Sequence, residues 1–227
     1  MTVRVLAFVE GQTEEKFIRE IVSPLLAARN VSIAATTPGR RRAQGGVQHW
    51  GRTKKELLRY LKEDAGRFVT TMFDYYALPS NWPGKKEAKR ETSPSKKAEA
   101  IEQAIHADVC TALGESFDGA RFLPYIQMHE FEALLFSDTR ILAESVQRPQ
   151  IQTRLDEIVE ECGEPERIDD GRKTAPSKRI CALVPRYQKV LQGIIAAKGI
   201  GLPTMRQRCP HFAQWIGALE QLGEGQN

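Results

Sequence analysis

The chain has 227 residues, 41% of them apolar and 27% charged, with 33 Lys and Arg against 29 Asp and Glu for a formal charge of +4. Such a composition belongs to a globular chain with ample material for a core, and it excludes a mainly disordered, collagen-like or coiled-coil protein. No apolar run reaches the roughly 18 residues of a membrane helix.

The opening Met-Thr-Val-Arg-Val-Leu-Ala-Phe-Val-Glu-Gly lacks a basic leader and a small-residue cleavage site, so it reads as a buried central strand over Val3–Val9 rather than a secretory signal. A turn at Glu10-Gly11-Gln12 follows, then a helix with Thr13 as its expected cap and Glu14 and Glu15 in the first turn, where carboxylates oppose the helix dipole favourably. Phe17, Ile18, Ile21, Val22, Leu25 and Leu26 recur at helical spacing, and Pro24 is expected to kink the helix near its end. A second strand is expected at Val31–Thr37 and a Gly- and Arg-rich loop from Pro38 to Gly51. A helix follows over Thr53–Gly66 with Leu57, Leu58 and Leu61 inward, then a third strand over Phe68–Phe73 with Asp74 at its carboxyl end.

Residues 75–97, with Pro79, Pro83, Gly84 and Pro94, read as a long loop of the kind that often carries function. A helix over Ala98–Leu113, a fourth strand over Phe122–Met128 and a helical segment from Phe131 come next. Beyond about residue 150 the pattern is helical only, near 151–162, 177–198 and 211–222. Strands alternating with helices imply right-handed crossovers and a parallel sheet, so the expected fold is α/β, with residues 1–140 as the sheet unit and 141–227 as a helical annex packed on it.

Charge is unevenly spread. From Arg40 to Lys97 there are 15 Lys and Arg against 6 Asp and Glu, a net of +9, and the remainder is net −5. Arg40, Arg41, Arg42, Arg52, Lys85, Lys86, Lys89 and Arg90 are therefore candidates for phosphate contacts on a nucleic acid, and a solvated basic surface is the equal alternative. Trp50, Tyr75, Tyr76 and Trp82 lie among them and would either stack bases or anchor the loops.

Ligands of parallel sheets bind beyond the carboxyl ends of the strands. Glu10, Asp74 and Glu130 each stand at or just past such an end, with Glu132 close behind. Carboxylates crowded at one edge call for cations, and all-oxygen ligands suit Mg²⁺ or Mn²⁺. The four cysteines, Cys110, Cys162, Cys181 and Cys209, are scattered and read as cytoplasmic free thiols, and with the few histidines they offer no zinc site. His129 is read as orienting a neighbour, and Cys209 and His211 as core. No phosphate-binding Gly-x-x-x-x-Gly-Lys loop and no serine-hydrolase elbow occur.

The stretch Val9-Glu10-Gly11-Gln12-Thr13-Glu14-Glu15 resembles the first motif of Toprim domains, especially those of the OLD (overcoming-lysogenization-defect) nucleases. Met72-Phe73-Asp74-Tyr75-Tyr76 resembles the Toprim Asp-x-Asp motif, and His129-Glu130-Phe131-Glu132-Ala133-Leu134-Leu135 the later acidic motif. Leu78-Pro79, Trp82-Pro83-Gly84, Pro176-Ser177-Lys178-Arg179 and Cys209-Pro210-His211-Phe212 are similar to an uncharacterised Toprim-clan family of small bacterial proteins.

The resemblance implies a cytoplasmic, Mg²⁺- or Mn²⁺-dependent nuclease acting on DNA or RNA, an effector of anti-phage defence working beside a separately encoded ATPase. It implies Glu10, Glu14, Asp74, Glu130 and Glu132 as metal ligands and Lys178 as the later lysine of the site. A helix-capping or phosphate-contacting Lys178 is the alternative. Tyr76 replaces the second Asp, which removes one charge and one ligand. A non-catalytic nucleic-acid-binding module and a nucleotide phosphohydrolase are the competing readings.

Overall fold

The computed structural model describes residues 2–38, 49–169, 171 and 173–224. Strand β1 (Val3–Val9) is covered on both faces, as its near-continuous apolar run requires. Val3, Val5, Ala7 and Val9 point into one core and Phe8 into another, the period-two alternation of a strand. The chain then forms α1 (Gln12–Phe17), a π-helical turn over Ile18–Val22 and α2 (Ser23–Ala27).

The π turn is the form that the expected Pro24 irregularity takes. Pro24 has no N–H to give to Glu20, and its ring crowds that carbonyl. The helix widens, and Ser23 N donates to Ile18 O, five residues back. The N-cap is Gly11, with no side-chain capping bond; Thr13 is buried inside the first turn and does not cap it.

Strand β2 (Val31–Thr36) pairs parallel with β1, from Val3 opposite Val31 to Phe8 opposite Thr36. Helix α3 (Trp50–Glu63) leads to β3 (Arg67–Asp74), which pairs parallel with the other side of β1, from Arg4 opposite Arg67 to Val9 opposite Met72. The segment expected as a loop is built: a 3-10 turn over Tyr75–Ala77, α4 (Lys85–Ala88), and α5 (Pro94–Leu113), which starts four residues before the expected Ala98. Trp82 anchors it, 5.0 Å from Trp50 and 5.5 Å from Phe73 between ring centroids. Gly84 is required: its φ is 75°, and a Cβ there would lie 2.2 Å from Ala100 O of α5.

The expected fourth strand is two short ones, β4 (Phe122–Leu123) and β5 (Ile126–Gln127), both parallel to β3. Pro124 breaks the ladder by lacking an N–H. The Thr71 hydroxyl bridges the gap, donating to Tyr125 O at 2.9 Å and accepting from Tyr125 N at 2.8 Å. The sheet order is β2-β1-β3-β4, with β5 also on β3. Successive connections thus leave β1 in opposite directions, and the crevice between the ends of β1 and β3 is the topological switch point.

A buried 3-10 segment, Phe131–Ser137, leads into α6 (Thr139–Ser145) and α7 (Gln152–Cys162). The helix expected at 177–198 is two, α8 (Pro176–Leu183) and α9 (Lys189–Arg208), separated where Pro185 precedes Arg186 at φ 70°. Helix α9 is itself interrupted at Gly201, and α10 (Pro210–Glu224) ends the described chain.

These C-terminal helices share one core with the sheet: Val3, Val5, Val31 and Ile33 pack with Ile194, Ala197, Phe212, Trp215 and Leu219. Helices α3 and α5 close the other face around Phe8, Val69, Phe73, Ile101 and Ile105. Among the described residues no helix is long and apolar enough to cross a membrane.

Candidate active site

Four carboxylates meet at the switch point. Glu10 follows β1 and stays in register with β3, its N–H donating to Met72 O at 3.2 Å. Its Oε2 accepts from Asp74 N at 3.3 Å. Asp74, the last residue of β3, accepts the Phe131 N–H on Oδ1 at 3.0 Å, and this draws the Phe131–Ser137 segment with Glu132 to the strand end. Glu14 is buried in the first turn of α1, its Oε2 3.5 Å from where a Gly11 side chain would begin.

Lys189, the first residue of α9, is the cation among them. Its Nζ lies 2.9 Å from Glu132 Oε2 and 3.8 Å from Asp74 Oδ2. Glu132 is fully buried, and its Oε1 has no hydrogen-bond partner among the described residues.

The electrostatics follow from burial and crowding. Burial, then the neighbouring Glu14 charge, pushes Glu10 up from 4.5 to about 7, against the Asp74 N–H and Lys189. Burial lifts Glu132 from 4.5 to about 7 despite Lys189. Burial also raises Glu14, and it raises Asp74 strongly, where Lys189 opposes and Glu10, Glu14 and Glu132 add to the rise. For Lys189, burial acts downward, but Asp74, Glu132 and Glu14 outweigh it and hold the ammonium charged far above its ordinary value. One ammonium does not offset this many buried acids.

The donors fit Mg²⁺ or Mn²⁺ in kind: they are all carboxylate oxygens, and Glu132 Oε1 is buried without a partner. In the side-chain positions seen, no three His, Cys, Asp or Glu groups among the described residues enclose a common metal position. The site therefore offers the ligands and the charge, but not a closed cage.

The other expected site residues fall into separate places. Glu130 is buried beside the cluster, and its Oε2 accepts the Ser177 N–H at 2.8 Å, which ties down the start of α8. Lys178 is exposed on α8. The lysine that reaches the carboxylates is Lys189, because the chain turns at Arg186 and α9 begins against Glu132. Lys85 is not a phosphate contact: it is buried, donates to Tyr75 O at 2.7 Å, and places its ammonium 3.2 Å from the centre of the Tyr75 ring. Arg52, Lys86, Lys89 and Arg90 are exposed as expected, whereas Arg40, Arg41 and Arg42 lie outside the described residues.

His129 is buried edge-on to Tyr75. Cys209 and His211 are core. Tyr76, in the place of a second Asp, is exposed, and its N–H donates to His129 O at 3.0 Å.

Sequence reasoning missed Lys189 because it stood inside the single helix expected at 177–198; only the break at Arg186 makes it the first residue of a helix, where an ammonium opposes the helix dipole and is held by a carboxylate partner.

Comparison with curated proteins and with solved structures finds no match. A family model matches residues 9–220, a span that includes Glu10, Glu14, Asp74, Glu132 and Lys189. The chain belongs to the family described as Domain of unknown function (DUF4276).

Proposed function

We propose that this protein is a Mg²⁺- or Mn²⁺-dependent nuclease of Toprim-like fold that cleaves DNA or RNA phosphodiesters, as a cytoplasmic effector of anti-phage defence beside a separately encoded ATPase. The observation that carries the reading is the convergence of Glu10, Glu14, Asp74 and Glu132 at the switch point around Lys189. These four carboxylates would hold the metal, which when bound supplies an activated water and neutralises charge on the phosphate.

The chain's own groups do the rest. Glu10 and Glu132, raised to about 7 by burial and crowding when no cation is bound, would give up their protons as the metal enters, so metal binding should release protons near neutral pH. The Lys189 ammonium beside Asp74 Oδ2 stabilises negative charge that develops on a phosphate oxygen. Exposed Arg52, Lys86, Lys89 and Arg90 hold the strand through its phosphates, independently of sequence.

A second reading, a nucleic-acid-binding module without chemistry, is favoured by Lys189 standing as an internal counter-charge and by Tyr76 in place of an acid. One assay separates the two. Plasmid, linear DNA and RNA are incubated with the protein in Mg²⁺, Mn²⁺ or EDTA. Cleavage that EDTA abolishes supports the nuclease, binding without cleavage in any metal supports the module, and neither outcome on any substrate overturns both.

A further inference from the structure

We propose that Tyr76 is a stacking platform for an unpaired nucleobase next to the carboxylate site, so that the substrate is single-stranded where it enters. The inference rests on the reading that the chain holds nucleic acid, and it specifies the form of that nucleic acid. Of the four aromatic residues placed among the basic segments, Trp50, Tyr75 and Trp82 are 8%, 3% and 2% exposed and are spent on anchoring the segment. Tyr76 is 39% exposed and follows Asp74 by two residues.

The backbone at Tyr76 is fixed while the residue stays exposed. Tyr76 N donates to His129 O at 3.0 Å, Leu78 N donates to Tyr75 O at 3.3 Å, and Lys85 Nζ donates to the same carbonyl at 2.7 Å. With the backbone held this way, only the side-chain torsions of Tyr76 need ordering when a flat partner binds. The neighbouring segment favours a polyanion: Lys86, Lys89 and Arg90 are exposed on and just after α4, against exposed Glu87, and Lys85 clamps that helix to Tyr75. Exposed aromatics amid basic side chains bind single strands, because in a duplex the faces of the bases are already stacked.

The test measures binding in EDTA, by anisotropy, to oligothymidylate, oligouridylate, an abasic oligomer of equal length and a matched duplex. Tyr76→Ala is expected to weaken binding to the base-bearing single strands about tenfold, the order of one lost stack. Binding to the abasic strand and the duplex should change little, and Tyr76→Phe should restore wild-type affinity. Loss by Tyr76→Ala on the uridylate strand alone or the thymidylate strand alone still supports stacking, and a deoxyuridylate strand then separates the sugar from the thymine methyl. Equal losses on abasic and base-bearing strands, no loss at all, or a wild-type protein that binds none of the strands overturns the proposal. Cleavage is scored separately in Mg²⁺ and in Mn²⁺: Tyr76-dependent binding without cleavage in either metal leaves the stacking role standing and removes the nuclease reading.

Discussion

Glu166 and Glu132 are both buried glutamates in short 3-10 segments, Pro165–Arg167 and Phe131–Ser137, yet their oxygens meet opposite surroundings. Glu166 accepts the Phe212 N–H at 2.9 Å and the His211 N–H at 3.0 Å, which satisfies two of the unpaired donors at the start of α10. Nearby, Glu102 Oε1 accepts the Ile126 N–H at 2.8 Å and lies 2.9 Å from His211 Nε2. In the Glu132 cluster, one oxygen has no partner and the other faces an ammonium that Asp74 also needs. Glu166 has a backbone donor for each of its oxygens, whereas Glu132 has none for its Oε1, and Glu10 and Asp74 share theirs with a crowd of like charges. Carboxylates left crowded and under-bonded keep capacity for something the chain does not supply.

The largest expected effect tests the crowded side. Asp74→Asn keeps an acceptor for the Phe131 N–H and removes one charge. Cleavage should fall by roughly 10²-fold or more. The metal-free melting temperature should hold or rise, because crowding is relieved. A variant that melts lower in EDTA and cuts at the wild-type rate would refute the contrast between the two regions.

Next is Lys189→Met, which strips the ammonium that pairs with Glu132 and Asp74 among the described residues. Losing one partner of a buried pair costs about 3–5 kcal/mol when water is excluded; Lys189 is partly exposed, so about 2 kcal/mol is expected. Urea unfolding in EDTA measures this loss. Added Mg²⁺ should recover more stability in the variant than in the wild type, and an unchanged midpoint would mean that the acids are already neutralised by protons.

The smallest effect tests the matched side. Burial acts to lower the His211 pKa, but the hydrogen bond and charge of Glu102 outweigh it and raise it above 6.5. The folded state then binds the proton more tightly than the unfolded chain. The resulting stabilisation is complete below pH 6.5 and is lost as pH rises through the folded value. His211→Gln retains a hydrogen bond without the charge. The stability difference from wild type should be about 1 kcal/mol near pH 6 and shrink toward pH 9. A difference that stays constant across that range would show His211 to be neutral throughout.

Where apolar and β-branched residues run together, as in Val3–Val9 and Phe68–Phe73, the strands were legible in sequence, and with them the positions of Glu10 and Asp74. Other features depend on partners remote along the chain. The split at Pro124 is bridged by a hydroxyl from β3, and the segment after Asp74 is ordered by Trp50, Trp82 and Lys85 rather than by its own propensities. Its prolines and glycine read locally as breakers, while Gly84 is a close-packing residue against α5. Lys189 reaches Glu132 only because Arg186 adopts a positive φ, a conformation that an arginine does not advertise.

The shared core has a bearing on how such a protein can be divided or recombined. Residues 141–224 cover Val3, Val5, Val31 and Ile33 and also bring the ammonium to the acids. A cut after residue 140 would bare an apolar sheet face and leave the acidic cluster without its counter-charge. The sheet with its four acids is thus not a portable module: grafting, circular permutation or gene fusion has to carry both ends of the chain together.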